Sequence, residues 1–147
     1  LLDMVRARLD FTGTIQAIHD MRARWPQAHA IFIEDKANGP AVITSLSSEV
    51  PGIIPVEPDG GKYARAVAIQ PFTAAGNVLL PDPALLPSVV HLTEEAGDFP
   101  NGQHDDTVDA LTQALNRLFL DPILTDTGDI LTADDLFHLD VEDLGNY

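Results

Sequence analysis

Cysteine is absent from the 147 residues of this chain, and long apolar runs are absent as well. Without cysteine the chain can form neither disulfide bonds nor thiolate metal sites, which suits a reducing cytoplasm. No segment approaches the roughly 20 apolar residues that span a bilayer. No basic-then-apolar leader opens the chain either. We therefore expect no membrane association.

Basic residues are scarce: eight Lys and Arg stand against 23 Asp and Glu, for a net charge of −15. Phosphate binding usually shows a basic footprint, so this balance argues at first sight against nucleic acid. The charge is uneven, however, because residues 118–147 hold eight acids and no base. Any DNA-binding surface must therefore be local, or metal ions must assist the binding. Leu1 in place of Met at the first position indicates a fragment or a processed product.

The hydrophobic share of 45% allows one domain with a real core. Apolar periodicity and Gly/Pro punctuation predict strands that alternate with helices, which implies an α/β fold with a largely parallel sheet. The predicted strands cover residues 1–9, 30–33, 53–56 and 76–81. The predicted helices cover residues 14–25 (capped by Thr12 or Thr14), 40–49, 62–69, 85–96 and 104–118. Beyond Asp121, two small apolar clusters among acids indicate a docking segment or a disordered end.

Glu34 ends the apolar strand predicted at residues 30–33. In open α/β sheets, ligands gather beyond the carboxyl ends of the strands, so an acid there is well placed for a metal. The alternative is that Glu34, Asp35 and Lys36 simply mark where the strand emerges into water.

A second acid cluster, Asp105, Asp106 and Asp109, opens the last predicted helix. Residues three apart share a helix face, so Asp106 and Asp109 point the same way. Two carboxylates about 4 Å apart repel by on the order of 4 kcal/mol at an effective dielectric near 20, unless a cation offsets the repulsion. The alternative is that these acids cap the helix and complement its dipole. That alternative explains Asp105 and extends to Asp106, but it does not explain Asp109, which lies past the first turn.

Carboxylates without cysteine favour Mg²⁺ or Mn²⁺ over zinc. Cleavage of a phosphodiester by two ions needs three or four carboxylates. Glu34, Asp106 and Asp109 supply three. Lys62 and Arg65 share a helix face and, with Lys36, are the candidate phosphate contacts; the alternative is an ordinary solvated basic face.

Four segments in this order resemble the C-terminal nuclease region of phage terminase large subunits, over about residues 1–118. They are Ile33-Glu-Asp-Lys-Ala-Asn-Gly39, Lys62-Tyr-Ala-Arg65, Ala75-Gly-Asn-Val-Leu-Leu-Pro81 and Phe99-Pro-Asn-Gly-Gln-His-Asp-Asp-Thr-Val-Asp-Ala110. Such domains are similar to RNase H and RuvC-type resolvases. The resemblance implies a nuclease domain at residues 1–118, with an RNase H-like mixed sheet flanked by helices, followed by an acidic tail at residues 119–147.

The resemblance also implies a function: a metal-dependent endonuclease of a DNA-packaging terminase, which cuts concatemeric viral DNA with two divalent ions. The expected partners are double-stranded DNA, the portal and the small terminase subunit, in the host cytoplasm. By resemblance, Glu34 is the strand-end metal ligand and Asp106 the helix ligand. Asp109 is an additional ligand or supports one, and Asp105 is a further candidate placed to cap.

The start of this sequence departs from the family pattern. In the family, the leading metal ligand is an Asp on the first strand of the sheet. Here the segment at residues 1–9 runs straight into a helix, as the third strand would. Neither Asp3 nor Asp10 has the right setting. We therefore expect a sheet that lacks its first strands and one catalytic Asp, and a chain that alone cuts DNA poorly or not at all. No GxxxxGK[ST] loop is present, so the ATPase motor is absent too.

Two rival functions stay open on the sequence. One is a junction-resolving enzyme of the RuvC kind, which shares the fold. The other is a non-catalytic remnant or assembly module, in which the acids bind a cation for stability and the acidic tail docks a packaging partner. The net charge of −15 and the missing Asp favour the second rival.

Overall fold

The computed structural model describes residues 1–58 and 60–120, which form a mixed α/β fold. The tail predicted from residue 119 onward lies outside the described residues after its first two positions. The elements, in chain order, are α1 (Phe11–Arg24), β1 (Ile31–Glu34), α2 (Gly39–Leu46), β2 (Ile53–Val56), α3 (Lys62–Ala74), α4 (Val89–Asp98) and α5 (Asp106–Phe119). Within these residues, no helix has the length and apolar character needed to cross a membrane.

β1 and β2 form a parallel pair in which Ile31 lies opposite Ile53 and Glu34 opposite Val56. Both strands were predicted from short apolar runs, and helix α2 connects them with Pro40 in its first turn. Parallel pairing through a helical crossover confirms the predicted α/β arrangement for this part of the sheet. One core cluster lies here: buried Val42, Leu46 and Val50 pack against Ile15, Ile18, Ile31, Ile33 and Ile53.

Gly39 lets α2 begin directly behind the end of β1. A Cβ at this position would lie 1.8 Å from the carbonyl oxygen of Glu34, a distance that no side chain tolerates. The close approach turns the chain back within four residues. Glu34 is thereby held at the carboxyl edge of the sheet, where its side chain is exposed.

Helix α5 lies against both α3 and α4. Its buried positions include Val108 and Leu115, as the helical spacing of apolar residues predicted, with Ile69 of α3 and Leu92 of α4 buried as well. Helices α3, α4 and α5 form a second layer, and the acid cluster at the start of α5 faces the sheet from that layer. The site therefore depends on how α3 and α4 hold α5.

Two predicted strands are wrong. Residues 1–9 form no strand within the described part of the chain, because no neighbouring strand lies alongside to pair with them. Asp3 instead accepts hydrogen bonds from Arg24 (2.6 Å) and from the Trp25 indole (3.0 Å). Residues 76–81 form no strand either: Leu79 is 76% exposed and its carbonyl accepts a hydrogen bond from the amino group of Leu1 at 2.8 Å.

The predicted helix boundaries also shift. α1 is capped by Asp10, whose carboxylate accepts the amide of Gly13 at 2.7 Å, and not by Thr12 or Thr14. α3 continues beyond residue 69 to Ala74, although Pro71 lies inside it. α4 begins only at Val89, because Leu86 precedes Pro87 and a residue before a proline is disfavoured in the helical conformation.

Candidate functional site

A cavity of about 390 Å³ opens between the carboxyl ends of β1 and β2 and the face of α5 that runs from Asp106 to Arg117. Glu34 lines it from β1, and Asp106 and Asp109 line it from α5. We call it the acid cavity. The three acids singled out from the sequence, 75 residues apart at their extremes, are thus brought to one cavity, whereas Asp105 is not part of its lining.

Gln113 connects the two sides of the acid cavity. It lies one turn beyond Asp109 on the same face of α5, and its Nε2 donates to Oε2 of Glu34 at 3.3 Å. The amide therefore turns the strand-end carboxylate toward the helix. Sequence reasoning missed Gln113, although its four-residue spacing from Asp109 was a usable signal.

Asp109 is a buried acid held by Arg65. The two side chains are 11% and 10% exposed, and Nη2 of Arg65 donates to Oδ1 of Asp109. Nη1 of Arg65 donates to the carbonyl of Gly60 at 2.8 Å, while Nε is buried without a hydrogen-bond partner. The buried ion pair therefore connects α3, which carries Arg65, with α5, which carries Asp109.

Lys62 neutralises the outer side of the same cluster. Its Nζ lies 2.7 Å from Oδ1 of Asp105 and 3.6 Å from Oδ2 of Asp109. The hydrogen bond to Asp105 and the charges of Asp105, Asp109 and Asp106 outweigh partial burial and raise the pKa of Lys62 above its ordinary value of 10.5. Lys62 is therefore a permanent cation beside the first turn of α5.

Asp105 occupies the N-cap position of α5, but its side chain makes no capping hydrogen bond. The expected cap is supplied by Glu95 of α4: its Oε2 accepts the backbone amide of Thr107 at 2.8 Å and the Thr107 hydroxyl at 2.5 Å. Its Oε1 accepts from Arg6 at 2.8 Å. The capping role predicted for Asp105 is wrong, since Lys62 draws its carboxylate away from the helix end.

Glu95 is buried and ionised, and sequence reasoning missed it. Burial alone would raise the pKa of Glu95, but the hydrogen bonds from Thr107 and Arg6 and the positive charge of Arg6 lower it below its ordinary value of 4.5. No local pattern marks such a residue, because its partners lie 12 and 89 residues away.

These contacts leave few carboxylate oxygens for the predicted divalent-ion site. Carboxylate oxygens suit Mg²⁺ or Mn²⁺, but Asp105 and Asp109 are engaged by Lys62 and Arg65. Across residues 1–58 and 60–120, no three His, Asp or Glu side chains are grouped closely enough to hold a metal ion. The described residues therefore do not by themselves assemble the ligand set of a two-ion site.

The three bases predicted to contact phosphate occupy different settings. Lys36 is exposed in the loop after β1, and the Lys62 side chain is 45% exposed despite its ion pairs. The guanidinium of Arg65 is committed to Asp109 and Gly60. Arg65 is therefore a fixed part of the α3–α5 interface, whereas the side chains of Lys36 and Lys62 reach the surface.

Comparison with known proteins gives one finding. Residues 1–118 match the family model described as "Terminase RNaseH-like domain". No curated protein and no solved structure matches the chain.

Proposed function

The chain belongs to the family of terminase RNase H-like domains, and we propose that it is the DNA-cutting domain of a phage packaging terminase. In this proposal the domain hydrolyses phosphodiester bonds of concatemeric double-stranded DNA. Glu34 and Asp106 are the acids that this chain contributes directly to a divalent-metal site. Asp109 holds α5 against α3 through its ion pair with Arg65.

One observation carries the proposal: a strand-end acid and two acids of a distant helix line the same cavity. Like charges repel, so a fold that converges three of them at a sheet edge is costly unless a cation resides there. Lys62 and Arg65 offset part of that repulsion at Asp105 and Asp109. Glu34, by contrast, receives a hydrogen bond from the neutral amide of Gln113.

The proposed partners follow from the family and not from a contact. Double-stranded DNA is the substrate, and the portal and small terminase subunit are the packaging partners, in the cytoplasm of the host cell. Lys36, in the loop after β1, and Lys62, beside Asp105, are the proposed phosphate contacts.

A second candidate function is a non-catalytic assembly module. The ion pairs of Lys62 and Arg65 favour it, because they already satisfy two of the four acids. In that case the acid cavity would stabilise the fold and bind no reactive ion.

The test is nicking of supercoiled plasmid by the chain in excess over DNA, in Mn²⁺ and in Mg²⁺. We expect slow Mn²⁺-dependent nicking that is lost in Glu34→Gln and in Asp106→Asn. Asp20→Asn, at an exposed acid of α1, is the matched control and should cut like the wild type. Nicking that survives both cavity variants would contradict the assignment. A chain extended upstream by the missing strands that folds, binds DNA and never cuts it in Mn²⁺ would favour the assembly module.

A further inference from the structure

The face of α5 that carries Asp109 continues into a second cavity of about 460 Å³. It adjoins the acid cavity, because Val56, Gln113 and Arg117 line both. The four-residue steps from Asp109 to Gln113 and from Gln113 to Arg117 keep these side chains on one side of the helix. The two cavities therefore form one groove along α5.

The second cavity differs from the first in having two guanidinium groups in its lining, and we call it the basic cavity. Two guanidinium groups, of Arg65 and Arg117, line it together with a single carboxylate, that of Glu57. The amides of Gln113 and Asn116 complete its polar wall. Because Asp109 balances the charge of Arg65, Arg117 is the group of this wall that is suited to an anion.

Arg65 forms a fixed part of the basic cavity. Its side chain is 10% exposed and is held by Asp109 and by the Gly60 carbonyl. Arg117 has a partner within the protein as well, but a guanidinium carries five N–H donors in a fork that matches phosphate oxygens. Arg117 therefore has donors enough for both.

We propose that the basic cavity binds a phosphate of the DNA strand that lies next to the phosphate at the acid cavity, with Arg117 as its anion ligand. This inference rests on the proposed function and names a substrate-binding position of the same site. Eight residues of helix separate Asp109 from Arg117, or about 12 Å at 1.5 Å per residue. Arg117 lines the far end of the acid cavity as well, so its fork of donors lies where the two cavities meet, between the phosphate that faces the acids and the next one.

The experiment is fluorescence anisotropy with a labelled DNA duplex, in EDTA, over a series of salt concentrations. EDTA removes cleavage, so the result does not depend on whether the chain is a nuclease. We expect Arg117→Gln to weaken binding about ten-fold, the loss typical of one charge-assisted hydrogen bond. The slope of log Kd against log salt should fall by about one, because one fewer counterion is released.

Three variants control this result. Arg8→Gln removes an exposed charge that lies outside both cavities and should leave affinity nearly unchanged. Arg117→Lys should keep the salt slope and lose only part of the affinity. Ala64→Leu fills the basic cavity from the exposed surface of α3 without changing any charge, and should weaken binding as well.

The proposal is overturned if Arg117→Gln loses no more affinity than Arg8→Gln, or if the wild type fails to bind the duplex at low salt. Inorganic phosphate provides a separate arm, measured by calorimetry at matched ionic strength. Phosphate binding that needs Arg117, combined with DNA binding that does not, would assign the cavity to a free phosphate and overturn the DNA form of the proposal.

Discussion

Removal of Arg65 should show that Asp109 is a structural acid of the α3–α5 interface. The pair is almost fully buried, with side chains 10% and 11% exposed. Breaking a buried ion pair by removing one partner typically costs 3–5 kcal/mol, because the other charge stays buried. Two features reduce the cost here: Lys62 remains 3.6 Å from Asp109, and Arg65→Met also removes the unsatisfied Nε. We expect Arg65→Met to lower the free energy of unfolding by about 3 kcal/mol.

A double-mutant cycle separates the pair from its surroundings. Asp109→Leu alone should cost a similar amount, but Arg65→Met with Asp109→Leu should recover most of the loss, since a well-packed apolar pair often replaces a buried ion pair without penalty. The expected coupling is about 2 kcal/mol, measured by urea unfolding followed by circular dichroism. Lys62→Met, at a side chain 45% exposed, serves as the comparison and should cost less than about 1 kcal/mol. A coupling near zero would refute the structural role of Asp109.

Three further predictions concern the elements around the acid cavity. Gly39→Ala should lower the melting temperature and disturb Glu34, because the added Cβ would meet the Glu34 carbonyl oxygen at 1.8 Å; the melt and the amide signals of β1 measure this. The pKa of Glu95 is lower in the folded chain than in the unfolded chain, so ionised Glu95 stabilises the fold, and the free energy of unfolding should fall as pH drops through the folded pKa. Glu95→Gln should lower the free energy of unfolding by about 2 kcal/mol at neutral pH. In acid unfolding curves the same substitution should make the fall with pH shallower. Mn²⁺ at one hundred times its dissociation constant should stabilise the chain by about 2.7 kcal/mol, and an equal shift in Asp106→Asn would argue against binding at this site.

The β1–α2–β2 unit could be predicted because its signals are local. The apolar runs before Glu34 and at residues 53–56, with Gly39-Pro40 between them, specify two buried strands and a crossover without reference to distant residues. The apolar spacing of Val108 and Leu115 specified the buried face of α5 in the same way. Family resemblance grouped Glu34 with the α5 acids. Glu34, Asp106 and Asp109 line one cavity, although no three acids of the described residues are close enough together to hold a metal ion.

The errors arose where structure depends on distant partners. A strand at residues 1–9 needs a neighbour to pair with, and alternating side chains do not reveal whether one exists. The capping role predicted for Asp105 failed because Lys62, 43 residues away, binds its carboxylate. Arg65 was interpreted as a surface base, yet its pairing with Asp109 across 44 residues buries it.

The central claim, that Glu34 and Asp106 act at one DNA-cutting site, is tested most directly by the single-turnover nicking rate of the double variant. Residues that act as one unit are strongly non-additive in rate. Glu34→Gln with Asp106→Asn should therefore cut supercoiled plasmid in Mn²⁺ no more slowly than the slower of the two single variants, with all rates measured above the background of buffer alone. Independent, multiplicative losses, or a double variant that cuts like the wild type, would contradict the account.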